Sequence, residues 1–140
     1  MTRGKFAIIK DDGVYTSYEF NGDMYVRGNG HGKDVAERLS KVNNEEDFVR
    51  EVNDFNENEF GYDDEFEKPY FIEKKADFTH ATYFDKYFSD YVYLKNLTDE
   101  TKEIISFEGE KLEIEPNQIL VFSFGRLVYK FVDGNFEAIE

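Results

Sequence analysis

The chain contains no cysteine and only two histidines, His31 and His80, in 140 residues. Without cysteine there is no disulfide framework and no thiolate to act as nucleophile or ligand. Two isolated histidines do not complete a zinc-type site, so each reads as a surface or packing residue. The lack of disulfides fits a reducing compartment. Long apolar runs are missing as well. The N-terminal "FAII" lasts four residues before charge returns, too short for a signal-peptide core, and no later run approaches a membrane span. The expectation is a soluble, cytoplasmic protein. A chain of this length buries roughly two-thirds of its unfolded surface and folds without a staple, so residues 1–140 are expected to form a single domain.

Basic residues are scarce. Seventeen Lys and Arg face thirty-one Asp and Glu, a formal net charge of −14. This argues against direct binding of nucleic acid, which needs a basic footprint, and against an anionic membrane surface. The placement of the charge is uneven. Between Glu45 and Glu67 stand eleven acids and one base, Arg50, so this window carries −10 of the −14. Fifteen Phe and ten Tyr argue against disorder despite the charge. Aromatics anchor cores and also dominate binding surfaces.

Turn chemistry divides the N-terminal third. "KFAIIK", "VYTSYEF" and "MYVR" are strand-like and are separated by "DDG" and "NGD". "GNGHG" then leads into two helices. Val35, Ala36, Leu39 and Val42 recur at helical spacing, as do Phe48, Val49, Val52 and Phe55. Helices are expected near 33–42 and 44–54. Asn44 is the N-cap of the second, with Glu45, Glu46 and Asp47 in the first turn, where the helix dipole favours anions. An acidic loop is expected over 55–68. "YFIEKK" is strand-like and "FTHATYFDKYF" leans helical. From Asp90 onward "YVYLKNL", "EIISF", "KLEIE", "ILVFSF", "LVYKFV" and "FEAI" alternate with turn residues, the pattern of an antiparallel β-meander over 90–139. The fold class is α+β: an N-terminal hairpin and a C-terminal meander in an antiparallel sheet, with two to three helices on one side.

Asp12, Gly13, Tyr15, Tyr18, Gly22, Asp23, Tyr25, Gly32 and Leu39, followed later by "DYVYLKNLTDETKEIISF", resemble a family of small phage and prophage proteins. That family opens with a strand, an Asp-Gly turn, an aromatic strand, a Gly-Asp turn and a glycine leading into a helix. Where the family carries His-Trp before its second turn, this chain has "EFNGDMY". The resemblance covers about half of the chain. It implies a mobile-element origin and brings no catalytic residues with it.

The candidate sites rank as follows. "RGNGHGKD" is not a phosphate loop, because only three residues separate Gly28 and Gly32 and Asp34 follows Lys33. It reads as a turn entering a helix. Asp54, Asn56, Asn58 and Glu65 match positions one, three, five and twelve of a calcium loop. Glu59, however, stands where that loop needs glycine, and Pro69 spoils the exit helix. Ser17, Ser40, Ser89, Ser106 and Ser123 lie in no nucleophile context. No cofactor is implied, and no enzyme is expected. Asn96-Leu97-Thr98 has the form of a glycosylation sequon, but with no secretory signal expected it is read as carrying no such role.

The acidic segment is the sharpest feature. Asp47, Glu51 and Asp54 follow i, i+4, i+7 and should form one ridge beside the stripe of Phe48, Val52 and Phe55. Like charges at that spacing cost stability. The ridge spans about 10.5 Å, and DNA presents one charge per roughly 3.4 Å of each strand, so the two charge densities are of the same order. Asp47, Glu51, Asp54, Glu57, Glu59, Phe60, Tyr62, Asp63, Asp64 and Glu65 are therefore the expected partner-binding residues. The expected function is that of a small acidic phage-type inhibitor. It would block a basic, nucleic-acid-binding surface of a host protein by imitating nucleic acid. The alternatives are a cation-responsive binding module and an immunity-like accessory protein that binds through its β-meander.

Overall fold

The computed structural model describes residues 3–10, 15–21, 24–26, 28, 30–60, 91–105, 111–123 and 126–139. Strands β1 (Arg3–Ile9) and β2 (Tyr15–Asn21) precede helices α1 (Gly32–Ser40) and α2 (Glu45–Phe60). Strands β3 (Tyr91–Asn96), β4 (Lys102–Ile105), β5 (Lys111–Ile114), β6 (Ile119–Ser123), β7 (Arg126–Val132) and β8 (Asn135–Ala138) follow. The α+β class holds. The expected strand and helix at 70–88 lie outside the described residues.

Six strands form one sheet in the order β2-β1-β3-β6-β7-β8. Every pair is antiparallel except β1 and β3, which run parallel with Ala7 opposite Leu94. A parallel pair needs a long crossover, and the segment that holds both helices supplies it. Strands covered on both faces read as continuous apolar runs. "FAII", "YVYL" and "ILVF" are such runs, and they form the central strands β1, β3 and β6. The alternation of side chains then sorts two cores. On one face Ile8, Tyr93, Val121 and Phe131 pack with Val35, Leu39, Phe48, Val52 and Phe55 of the helices. On the other, Ala7, Ile9, Val92, Leu94, Leu120 and Phe122 meet Ile104 and Ile114.

That second core corrects the expected meander. Among the described residues, strands β4 and β5 pair only with each other, as a separate two-stranded sheet, and β3 pairs directly with β6. Ile104 and Ile114 bury the hairpin against the sheet face that the helices leave open. Asn96 ties the layers together. Its amide donates to the carbonyls of Glu100 (2.9 Å) and Ile114 (3.0 Å), and its side-chain oxygen accepts from the Thr98 amide and hydroxyl. The apparent sequon is thus a turn lock in which Asn96 and Thr98 are buried.

Two further expectations need correction. "MYVR" forms no strand over its described residues Met24–Val26. Both neighbours of β1 are already taken, and Met24 turns its side chain into the core. A Cβ at Gly4 would stand 2.6 Å from Met24 Cβ and Cγ, so Gly4 makes room for it. The second helix does not stop at 54 but runs to Phe60. Phe55 continues the buried stripe, and the first helix breaker after it is Gly61. Residues 55–60 are therefore helix rather than loop. The first helix ends at Ser40, two residues early, with Val42 still buried beyond its end.

Candidate functional site

The acidic face is built where α2 lies against α1. Asn44 Oδ1 accepts the Asp47 amide at 2.8 Å and caps α2, as its sequence position suggests. Asp47 reaches back, its Oδ2 accepting the Asn43 amide at 3.1 Å, while Oδ1 accepts from Arg50 at 3.1 Å. Glu45 is bridged by Lys10 at 2.8 Å. One turn further along, Arg38 of α1 reaches across to α2. Its Nη1 donates to Glu51 (3.2 Å) and Asp54 (2.5 Å), and its Nε donates to Asp34 (3.1 Å). The guanidinium also lies 5.6 Å from the centre of the Phe55 ring. Burial pulls against its charge, but the hydrogen bonds and fields of Asp54 and Asp34 outweigh burial and hold the Arg38 pKa above its ordinary value.

This changes the expected ridge. Asp47, Glu51 and Asp54 do share one side of α2, but they do not stand free in solvent. The Asp47 and Glu51 side chains are each only 19% exposed, and all three acids have a basic partner. Among the described residues these three acids do not form a bare line of carboxylates spaced like phosphates. Instead, one guanidinium gathers three carboxylates and leaves a local net charge of −2. The side chain of Asp54 is 53% exposed, and Glu46 and Glu57 are exposed on the same helix. Glu59 and Phe60 belong to the last turn of α2, and their side chains lie outside the described residues, as do Tyr62, Asp63, Asp64 and Glu65 entirely. Asp54, Asn56 and Asn58, proposed as calcium ligands, lie on continuous helix where a calcium loop would need a turn. Among the described residues no group of three or more His, Cys, Asp or Glu is placed to hold a metal ion. His31 packs edge-on against Phe55, ring centres 5.5 Å apart.

Two residues escaped sequence reasoning. Arg38 was legible only as the partner of Asp34 at i, i+4; its reach to α2 depends on how the helices cross. Lys95 stood out faintly, as a charge inside the apolar "YVYLKNL". The structure buries it to 4% exposure, with Nζ donating to the carbonyls of Ser40 (3.3 Å), the last residue of α1, and Val42 (2.7 Å), just beyond it. Burial lowers its pKa from the ordinary value, and the field of Asp47 opposes that shift. Lys95 also lines a cleft of about 390 Å³ between α1, β3, β6 and β7.

No protein-family profile, no curated protein and no solved structure matches the chain. No described helix is long and apolar enough to cross a membrane.

Proposed function

We propose that the protein is a small, non-catalytic inhibitor of the phage type. It docks the acidic face of α1 and α2 on a basic, nucleic-acid-binding surface of a host protein in the cytoplasm. The observation that supports this reading is the three-to-one excess of carboxylates around Arg38, extended by exposed Glu46 and Glu57. Arg38 acts in two opposite ways here. It cancels part of the charge, and it fixes Glu51 and Asp54 in place, so a partner meets carboxylates whose ordering entropy is already spent. Surplus negative charge steers encounter with a cationic groove and sets its salt dependence. Imitation of nucleic acid then rests on a preorganised anionic cluster rather than on a row of evenly spaced charges. The phage attribution rests on the N-terminal turn pattern.

The test is capture from host lysate, followed by competition. The expected result is a basic protein retained at low salt, released at high salt, and displaced from its nucleic acid by stoichiometric amounts of this chain. A captured partner that keeps its nucleic acid at saturating inhibitor would refute the reading.

A second reading has one observation in its favour. Among the described residues β8 closes the sheet with no further strand beside it, and Val132 and Ile139 are exposed there. An immunity-like protein would use this edge to add a partner's strand. Deleting residues 135–140 separates the two readings. Capture survives if the helices do the binding and is lost if the edge does.

A further inference from the structure

The cleft at Lys95 plays no part in the acidic-face reading, and its chemistry is distinctive. Its volume of about 390 Å³ falls in the range of small-molecule sites. Lys95, Ile119 and Phe131 are its buried lining, and Glu37, Asn43 and Asp133 are its exposed lining. A lysine ammonium carries three donors. Two of them go to the carbonyls of Ser40 and Val42, and the third has no acceptor among the described residues. A buried donor without an acceptor is costly, so the cleft favours a ligand that brings one.

The surrounding charges narrow the class. A simple anion would satisfy Lys95 but would meet Glu37, Asp133 and the negative C-terminal end of α1. A simple cation would suit the rim and oppose the lysine. A purely apolar molecule would cover Ile119 and Phe131 and leave the donor open. We propose that this cleft binds a small zwitterion of amino-acid size. The carboxylate of the ligand accepts from Lys95, its apolar side chain covers Ile119 and Phe131, and its ammonium faces Glu37 and Asp133.

The experiment is a titration of the full chain, by calorimetry and by the 13Cε resonance of Lys95. The ligands are L-leucine and L-phenylalanine, with two controls that each lack one end. Hydrocinnamate has the carboxylate and ring without the ammonium; phenethylamine has the ammonium and ring without the carboxylate. The expected result is saturable one-to-one binding of an amino acid with a dissociation constant of about 1 mM or tighter, with each control weaker by roughly tenfold or more. Glu37→Gln combined with Asp133→Asn, both at exposed positions, should weaken the amino acid by roughly tenfold. Lys95→Met should abolish binding, and the rim pair keeps the test decisive where Lys95→Met fails to fold. No saturable binding up to about 50 mM, binding of hydrocinnamate equal to that of L-phenylalanine, or an unchanged affinity in the rim pair would each overturn the proposal.

Discussion

Arg38 and Asp54, sixteen residues apart and on different helices, meet at 2.5 Å. Around that contact the two helices hold their charges and their aromatic stripe together, because the same guanidinium also covers Phe55. Replacing Arg38 with Leu would keep much of the packing and leave Asp34, Glu51 and Asp54 crowded without a counter-charge. The expected loss is about 1–3 kcal/mol of unfolding free energy, below that of a fully buried pair because Asp54 is half exposed. Part of it should return at high salt, where repulsion is screened. Urea unfolding of Arg38→Leu at low and high ionic strength measures both.

Lys95→Met should cost about 1–3 kcal/mol, because the carbonyls of Ser40 and Val42 lose their donor. The pH dependence carries a definite sign. Burial lowers the Lys95 pKa, so the unfolded chain binds the proton more tightly than the folded one. Stability contributed by Lys95 therefore rises with pH over the interval between its lowered value and the ordinary one near about 10.4. Wild type should gain on Lys95→Met as pH climbs toward that ordinary value, read from urea midpoints across pH.

Tyr93 gives the opposite slope. Burial, with the fields of Tyr91 and Tyr129, pushes its phenol far above the ordinary value, and the hydroxyl donates to the Met24 carbonyl at 2.5 Å. The unfolded chain ionises near about pH 10 while the folded one does not, so this contribution is present below that pH and lost above it. Tyr93→Phe should be less stable by about 1 kcal/mol at neutral pH. It should also lose less stability than wild type between neutral pH and pH 11.

Gly32 opens α1, a position where alanine would ordinarily favour helix by up to about 1 kcal/mol. Here a Cβ would overlap the Tyr93 hydroxyl, the Tyr25 carbonyl and Val26 Cα. The Tyr25 carbonyl accepts the Gly32 amide at 2.9 Å, so the backbone cannot retreat without breaking that bond. Gly32→Ala should therefore destabilise by about 1–3 kcal/mol. A thermal melt that shows Ala at least as stable as Gly would contradict this packing.

Asn96→Ala removes the amide that bonds Glu100 and Ile114 and the oxygen that holds Thr98. The Ile114 carbonyl and the Thr98 amide left behind are buried, and the expected cost is about 2–4 kcal/mol by chemical denaturation.

Much of the fold was written in local pattern. The buried stripe of Phe48, Val52 and Phe55, the Asn44 cap and all six C-terminal strands follow from periodicity and turn residues. The Asp133-Gly134 turn between β7 and β8 has φ of 50° and 82°, the left-handed pair that "DGN" signals. Non-local choices left no such mark. Nothing in "EIISF" or "KLEIE" distinguishes a meander strand from a covering hairpin, because both need one apolar side. The parallel pairing of β1 with β3 likewise depends on a distant crossover. At the site, spacing placed Asp47, Glu51 and Asp54 on one side of α2 correctly. It did not show that α1 would set Arg38 against Glu51 and Asp54, since helix crossing is decided by packing rather than by either helix alone.

The central claim is that exposed carboxylates on α1 and α2 drive association with a basic host protein. The measurement that bears on it most directly is the affinity of the captured partner for wild type and for a Glu46→Gln, Asp54→Asn, Glu57→Gln variant, across a salt series. Binding roughly tenfold or more weaker in the variant at low salt, with the two curves converging as salt rises, is the predicted result. Equal affinities at low salt, in a variant shown to be folded, would contradict it.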